Sequence, residues 1–243
     1  MSDDGMSATA LGDRAGLVFL DLERRGGRIS AVRYRGARGI DVVRADSEGL
    51  AIAPDGTVHV TLEGHPRLLK WAPGQAYPTT LPLPRAFRGL DGNSGLEALA
   101  LSDDGALWTL PEVADWSGEY GLWRGIDGEW RRVAGIPGGG LVPLLGYRAV
   151  GLDFDDRGRL YLLERRVSLK IGFQSRIRRL TLDGDHGIAG METLIETEPR
   201  RHDNLEGISV WRDDTGRLRL TLVSDDNYRS YQRTEFVEYA VPD

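Results

Sequence analysis

Residues 93–112 of the chain read Asn-Ser-Gly-Leu-Glu-Ala-Leu-Ala-Leu-Ser-Asp-Asp-Gly-Ala-Leu-Trp-Thr-Leu-Pro-Glu. Two short apolar runs flank a Ser-Asp-Asp-Gly segment, a pattern that predicts two β-strands joined by a tight turn. The stretch carries a carboxylate near each end, Glu97 and Glu112. Because the start of the first strand and the end of the second strand lie at the same end of an antiparallel hairpin, we expect both carboxylates on one rim.

The same pattern occurs four times along the chain. The copies begin at residues 48, 97, 150 and 206, so the steps are 49, 53 and 56 residues. A period of about fifty residues with a few short strands in each copy is typical of β-propellers, in which every repeat forms one blade. A two-sheet sandwich is the alternative, but sandwiches seldom repeat a motif at a constant period. We therefore predict an all-β protein, a β-propeller of about five blades, with six as the upper figure.

The two ends of the chain depart from the repeat. Residues 1–13 are predicted to be a disordered lead, and residues 14–243 a single β-propeller domain. Strands over residues 16–22 and 28–34 form a hairpin without an acidic unit before it, so we expect the first blade to be incomplete. Because the last blade has no obvious fourth strand, closure of the ring is expected to borrow a strand from the N-terminal segment.

Composition limits the function. A net charge of −6 argues against a nucleic-acid-binding protein, which needs a basic face. No run approaches the roughly 18 apolar residues of a membrane span, so no integral membrane segment is expected. The absence of cysteine excludes thiolate catalysis and thiolate metal sites. The polar start is unlike a secretory signal, so we expect a cytoplasmic protein, or a periplasmic or secreted one whose signal lies upstream of this chain.

Matching residues of successive blades converge on the central channel, so the repeat acids predict an acidic mouth. Carboxylates in contact raise one another's pKa unless a cation neutralises them. Without cysteine and with four scattered histidines, oxygen ligands favour calcium, with magnesium as the second choice. The alternative is that each glutamate ties one blade to the next by accepting backbone N–H bonds, without a metal. The predicted metal ligands are Glu48, Glu97, Glu206 and Asp225.

We expect metal-assisted hydrolysis if the protein is an enzyme, because no Gly-x-Ser-x-Gly elbow supports a serine hydrolase. Glu112 and Glu164 are the predicted catalytic carboxylates, which would move the proton of water, and Arg165 is expected to hold the anionic group of a small-molecule ester. The arginines of residues 176–179 are expected to face solvent. The side chains predicted to bind substrate are Glu63, Asn93, Asn204 and Asn227.

Several motifs taken together resemble one family. They are Asp-Ser-Glu-Gly-Leu-Ala at residues 46–51, Asn-Ser-Gly-Leu-Glu-Ala-Leu-Ala at 93–100, Leu-Leu-Glu-Arg at 162–165, Leu-Glu-Gly-Ile at 205–208 and Ser-Asp-Asp-Asn-Tyr at 224–228. From about residue 16 onward the chain resembles the phytase-like family of bacterial propeller proteins described as having esterase-like activity of phytase. The resemblance implies a propeller, often exported, that acts as a phosphoesterase or an esterase. It also implies an opening inner strand of Ser-Gly-Leu type, which this sequence lacks.

Two further functions are compatible with the same residues. One is a non-catalytic propeller that uses the acidic mouth to bind a ligand or a protein partner of unknown identity. The other is a calcium-dependent lactonase, since such enzymes also use propellers with Glu, Asn and Asp at the channel. The fold does not select among these chemistries.

Overall fold

The structure, a computed structural model, describes residues 1–12, 16–39, 46–63, 66–87, 95–138, 146–168 and 172–242. These residues contain no α-helix, and one 3₁₀ turn at Arg85–Phe87. The strands are β1 (Ser7–Gly12), β2 (Gly16–Arg25), β3 (Arg28–Gly39), β4 (Ser47–Ile52), β5 (Val58–Leu62), β6 (Arg67–Trp71), β7 (Thr79–Leu81), β8 (Ala98–Leu101), β9 (Leu107–Leu110), β10 (Glu119–Ile126), β11 (Glu129–Pro137), β12 (Arg148–Phe154), β13 (Leu160–Ser168), β14 (Gly172–Leu182), β15 (Ile188–Glu196), β16 (Asn204–Arg212), β17 (Leu218–Asp225) and β18 (Phe236–Val241).

The strands form five antiparallel sheets, which we number as blades 1 to 5: β1–β3, β4–β7, β8–β11, β12–β15 and β16–β18. Each sheet is a meander of consecutive strands. The inner strand β1 lies beside β4, β4 beside β8, β8 beside β12, and β12 beside β16. The predicted all-β propeller of five blades, with a first blade short of one strand, is therefore confirmed. No helix in the described part of the chain has the length and apolar character needed to cross a membrane.

Repeated turns explain the repeated sequence. In blade 3 the Ser102 N–H donates to the Ala106 carbonyl, and the Gly105 N–H donates to the Ser102 carbonyl, both at 2.9 Å. Gly105 has a φ of +79°, a left-handed conformation that glycine adopts without steric cost. The equivalent glycines of blades 2, 4 and 5, with φ of +85°, +72° and +77°, are Gly56, Gly158 and Gly216.

A β-bulge interrupts the inner strands of blades 2, 4 and 5 at the acidic motif. A bulge re-aims the residue that it contains, which in blades 2 and 5 is the glutamate of a Glu-Gly pair. The glycines lie against the next inner strand: a Cβ at Gly49 would lie 2.9 Å from the Glu97 carbonyl oxygen, and a Cβ at Gly151 would lie 2.9 Å from that of Glu206. Glycine thus permits the inner strands to approach closely. The register shifts fall between Ser47 and Leu50, Ala149 and Gly151, and Leu205 and Gly207.

The hydrophobic core is divided among the seams between blades. Between blades 3 and 4, the rings of Trp108 and Phe154 pack edge to face with centroids 5.5 Å apart. Leu163 and Leu205 are fully buried in the cluster between blades 4 and 5. Because every seam has its own cluster, each blade is stabilised by apolar contacts on both faces.

Blade 1 begins earlier than predicted. Strand β1 pairs with β2 along its whole length, from Ser7 opposite Asp21 to Gly12 opposite Gly16. Ala8 is buried against Leu20 on β2. The prediction of a disordered lead is therefore wrong for these residues. The small side chains of Ser-Ala-Thr-Ala give no clear strand pattern, so the sequence did not indicate this strand. Strand β1 serves as the inner strand of blade 1.

The ring closes through side chains. Within the described residues, blade 5 consists of β16–β18 and the N-terminal strand pairs inside blade 1, so the predicted borrowing of a strand is wrong. Arg24 on β2 donates two hydrogen bonds of 2.8 Å to the carboxylate of Glu238 on β18. The Arg24 guanidinium also lies 4.7 Å from the centroid of the Trp211 ring. Phe236 of β18 packs against the apolar cluster of blade 1, so apolar contacts also cross this seam.

Replacing Gly151 by alanine is expected to lower the free energy of unfolding by about 1–3 kcal/mol, because the methyl group would press on the inner strand of blade 5. Urea unfolding followed by tryptophan fluorescence measures the change. Gly36→Ala is the matched control, since nothing lies within 4 Å of a Cβ at that position, and it should change the value by less than about 0.5 kcal/mol. Equal stabilities of the two variants would contradict the close approach.

Candidate functional site

Charged and polar side chains of blades 2 to 5 meet where the inner hairpins end, and we call this group the mouth cluster. It draws on the inner strands β4, β12 and β16, on β13, and on residues next to β5, β8 and β9. The acids come from three blades and the arginines from blade 4. The members are Glu48, Glu63, Glu97, Glu112, Arg148, Arg165, Asn204 and Glu206.

Arg165 lies at the centre of the cluster. Its Nη1 donates to Asn204 Oδ1 at 2.6 Å and to Glu206 Oε1, and its Nη2 lies 3.4 Å from Glu112 Oε1. Burial opposes the charge of this guanidinium, but the attraction of Glu206, Glu97, Glu112 and Glu48 outweighs burial and raises the pKa of Arg165 above its ordinary value. Arg165 therefore stays a cation shared among carboxylates of three blades.

Glu112 is the most buried carboxylate of the cluster, with 1 % of its surface exposed. Its Oε1 accepts a hydrogen bond of 2.7 Å from Arg148 Nη1 in addition to the contact with Arg165. Among the described residues, neither Glu112 Oε2 nor Arg165 Nε has a hydrogen-bond partner. Buried polar atoms are normally paired, so one acceptor and one donor are left for a water molecule or a ligand.

The pKa of Glu97 is raised well above its usual 4.5. Burial is the largest cause, the charge of Glu112 is the next, and Glu48 and Glu206 add to it, whereas Arg165 opposes the shift. Glu97 is partly accessible to solvent. It is therefore a carboxyl group that retains its proton at a pH where an ordinary glutamate has lost it.

Glu63 and Glu48 share a side-chain hydrogen bond at the blade 2 side of the cluster. Burial, followed by the charges of Glu112 and Asp46, raises the pKa of Glu63, and the bond with Glu48 opposes the rise. The cluster thus sets five carboxyl groups against two guanidinium groups. The excess negative charge is relieved in part by protonation.

Glu164 is set apart from the mouth cluster. It is fully buried between blades 3 and 4, and its carboxylate accepts four hydrogen bonds of 2.7–2.8 Å from Arg176 and Arg178. Adjacent residues of a strand face opposite sides of the sheet, so Glu164 and Arg165 cannot both reach the channel. Arg178 is 4 % exposed, so the expectation that the arginines of residues 176–179 face solvent is wrong.

Of the remaining predicted residues, Asn204 belongs to the mouth cluster, whereas Asp225 and Asn227 contact each other in a turn. Asn204 is 1 % exposed and is engaged at both ends of its amide, accepting from Arg165 and donating to Glu206 Oε1 at 2.9 Å. Asp225 accepts the backbone N–H of Asn227 at 3.0 Å, and Asn227 lies exposed in a left-handed turn. No hydrogen bond among the described residues joins these two to Arg165. Asn93 lies outside the described residues.

Arg148 is a member of the cluster that the sequence pattern did not single out. The third copy of the repeat has Val150 where the other copies have a glutamate, and Arg148 stands two residues before it. The sequence signal for Arg148 was therefore the replacement of a repeat glutamate by Val150 close to a basic residue. Arg148 pairs in register with Arg165 across β12 and β13, which places both cations in blade 4.

The carboxylates of the cluster do not fit a calcium ion as they stand. Asp225 is not joined to the others, and Arg165 already donates to Glu206 and contacts Glu112. Within the part of the chain that the structure describes, no group of three or more acidic or histidine side chains is arranged to hold a metal ion. The place expected for a cation is taken by a guanidinium group.

The raised pKa of Glu97 links stability to pH. A carboxyl group whose folded-state pKa exceeds its unfolded value of 4.5 stabilises the fold fully below that pH, and the contribution is lost as pH rises through the folded pKa. We expect the stability of the wild type to fall more steeply above pH 4.5 than that of Glu97→Gln, by up to about 1.4 kcal/mol per pH unit. Urea unfolding across pH tests this, with the exposed Glu129→Gln as control; parallel profiles for all three would contradict it.

Glu164→Gln should lower the free energy of unfolding by about 3–5 kcal/mol, because it leaves two buried guanidinium groups without their counter-charge. The control is Glu192→Gln, whose side chain is 56 % exposed and pairs with Arg179. This control should cost less than about 1 kcal/mol. A loss at residue 164 as small as that at residue 192 would show that the buried group does not stabilise the blade 3–4 seam.

The profile described as "Phytase-like: Esterase-like activity of phytase" matches residues 1–228. The motif resemblance described above is confirmed by this match. Comparison with curated proteins finds no match.

Solved structures share the fold at low sequence identity. A protein of unknown function from Dyadobacter fermentans is 10 % identical, with a TM-score of 0.53 over 96 % of this chain and 81 % of that chain. The calcium-binding protein regucalcin from Agrobacterium tumefaciens is 15 % identical, with a TM-score of 0.50 over 98 % and 74 %. A chain of the nidogen/laminin complex is 16 % identical, with a TM-score of 0.50 over 88 % and 73 %. At these identities the likeness concerns the fold alone.

Proposed function

This chain belongs to the phytase-like family described by esterase-like activity of phytase, and on that premise we propose that it hydrolyses uncharged carboxylic esters at the mouth cluster. The proposal rests on one observation. Two buried side chains that contact each other carry a hydrogen-bond donor and an acceptor that both lack a partner among the described residues. Arg165 Nε and Glu112 Oε2 lack partners among the described residues, although their side chains touch at 3.4 Å through other atoms. A water molecule and an ester carbonyl would satisfy both.

The reaction assigns a separate task to each of three residues. Glu112 Oε2 accepts a proton from water, whose oxygen attacks the ester carbonyl carbon. The Arg165 Nε–H donates to the oxygen of the tetrahedral intermediate, where negative charge develops. Glu97 gives its proton to the departing alkoxide as the C–O bond breaks, leaving an acid and an alcohol. Solvent then returns the proton from Glu112 to Glu97.

Neighbouring residues hold these groups in place. Arg148 fixes Glu112 Oε1, which leaves Oε2 as the oxygen that faces the reaction. Asn204 and Glu206 fix the Nη1 end of Arg165, so the guanidinium plane does not need to reorganise as charge appears. Glu164 has no part in this scheme, since its four hydrogen bonds leave it no free lone pair directed at the channel.

The charge of the cluster favours an uncharged substrate over a phosphate ester. Five carboxyl groups face two guanidinium groups, and both arginines are engaged with glutamates, so a phosphate dianion would meet like charge without a free cation from the cluster members that the structure describes. A lactone is an uncharged cyclic ester, and the same residues would open its ring. We therefore propose carboxylic esters, including lactones, as the substrate class, with no step that passes through calcium.

Glu112→Gln should lower kcat for p-nitrophenyl acetate and for a simple lactone by about 10²–10⁴-fold, because it removes the base that accepts the proton of water. Glu97→Gln should lower kcat by a similar factor for the lactone, whose alkoxide leaving group needs a proton, and much less for p-nitrophenyl acetate, whose phenolate departs without one. Initial rates of wild type, both variants and the exposed Glu129→Gln control give the comparison, with p-nitrophenyl phosphate as the charged substrate. Glu129→Gln should retain wild-type rates.

Three outcomes count against the proposal. Turnover of the phosphate ester but not of the carboxylic esters would reverse the substrate assignment. Unchanged rates in the Glu97 and Glu112 variants would remove the proposed acid and base. No turnover of any substrate above background, with the protein folded, would favour the alternative of a propeller that only binds a ligand or protein partner at this mouth.

A further inference from the structure

We propose that Arg165 is a built-in counter-ion that occupies the position of a divalent cation in the mouth cluster, so that the protein binds calcium only when this side chain is removed. The inference does not depend on whether the protein is an enzyme. It rests on contacts of the guanidinium group, on the place of Arg165 in the repeat, and on the carboxylates that would be left behind.

The contacts of Arg165 join three blades. The residue belongs to blade 4, its Nη2 faces Glu112 of blade 3, and its Nη1 binds Asn204 and Glu206 of blade 5. A guanidinium group presents several donors in a fixed plane, so one side chain can bridge oxygens that arrive from different directions. A bound divalent ion would make the same kind of bridge with oxygen ligands.

The repeat shows that this cation replaces an acid. Glu63 lies 15 residues after Glu48, and Glu112 lies 15 residues after Glu97, whereas in the third copy the residue 15 after Val150 is Arg165. Blade 4 therefore has a valine and an arginine at the two positions where blades 2 and 3 each have two glutamates. The formal charge at this pair of positions changes from −2 to +1, which offsets the neighbouring acids.

Removal of the guanidinium would leave an oxygen-rich site. The carboxylates that act on Arg165 belong to Glu48, Glu97, Glu112 and Glu206. Of the two arginines among the described members of the mouth cluster, Arg148 would remain. Glu112 Oε2, on a side chain that is 1 % exposed, already lacks a partner among the described residues and would be available as a ligand. Carboxylate and amide oxygens are the ligands that calcium prefers.

The test is thermal unfolding of metal-stripped protein with and without millimolar calcium chloride, with magnesium chloride at the same concentration as the ionic control. Wild type and Arg165→Lys, which keep the positive charge, should show no calcium-specific change in Tm. Arg165→Gln should unfold at a lower temperature without calcium and gain about 5 °C or more when calcium is present at 100 times its Kd. Isothermal titration with calcium chloride should detect binding in Arg165→Gln alone.

Two further variants define the site. Arg33→Gln removes an exposed arginine of blade 1, distant from the cluster, and should not create a calcium response. Arg165→Gln combined with Glu206→Gln removes one of the remaining carboxylates and should weaken calcium binding at least tenfold relative to Arg165→Gln.

Three results would overturn the proposal. A calcium-specific rise in the Tm of the wild type would show that Arg165 does not exclude the ion. A folded Arg165→Gln protein without a calcium response would show that the carboxylates do not form a site. Failure of Arg165→Gln to fold even with calcium would show that the ion cannot replace the guanidinium group. None of these results depends on ester hydrolysis, so the failure of either proposal can be recognised separately.

Discussion

The close approach of the inner strands at the channel is the constraint from which the other features follow. Gly49 and Gly151 have no room for a Cβ because the carbonyl of the next strand is there. The bulge at each Glu-Gly pair then directs glutamates of different blades toward one another. Two carboxylates 4 Å apart repel by about 4 kcal/mol at an effective dielectric constant of 20, so a ring of such groups needs protons or cations. Arg148 and Arg165 provide the cations, and the raised pKa of Glu97 means that its carboxyl group holds a proton more readily than an ordinary glutamate does.

The ratio of carboxyl to guanidinium groups differs between two clusters of the protein. Between blades 3 and 4, the buried carboxylate of Glu164 accepts four hydrogen bonds of 2.7–2.8 Å from two guanidinium groups. At the mouth, carboxyl groups outnumber guanidinium groups and one buried oxygen of Glu112 is left unpaired. A fully satisfied group stabilises a seam, whereas a partly satisfied group remains able to bind or to exchange a proton. The contrast distinguishes the charges that stabilise a seam from those that the proposed reaction would use.

Much of the fold could be predicted because its hairpin motif repeats along the sequence at a nearly constant period. The turn glycines Gly56, Gly105, Gly158 and Gly216 recur at blade spacing, and they correspond to repeated backbone geometry in the structure. Strand β1 was missed because alanine, serine and threonine form no clear apolar pattern, and its burial depends on contacts with Leu20 and on blade 5. A strand that is stabilised by tertiary packing leaves little trace in its own composition.

The acidic character of the candidate site could be predicted from the sequence, but only some of its residues could. Counting from the turns would have corrected one residue: Glu63 and Glu112 lie seven residues after Gly56 and Gly105, and the residue seven after Gly158 is Arg165, not Glu164. The alternation of side chains along a strand leads to the same result. By contrast, the contact of Glu48 with Glu63 within blade 2 and the pairing of Arg148 with Glu112 across blades 3 and 4 depend on side-chain conformations, which sequence spacing does not specify.

The seam between blades 1 and 5 is joined by different contacts from the seam between blades 3 and 4. Between blades 3 and 4 a backbone hydrogen bond of 2.9 Å, from the Ala149 N–H to the Glu112 carbonyl, crosses the seam. At the first–last seam the described polar contacts involve side chains, chiefly the forked pair of Arg24 with Glu238 over Trp211. Both side chains of this pair are largely buried, so dissolved salt screens their attraction only weakly. Closure of the ring between its first and last blades therefore depends in part on a buried ion pair whose strength changes little with ionic strength.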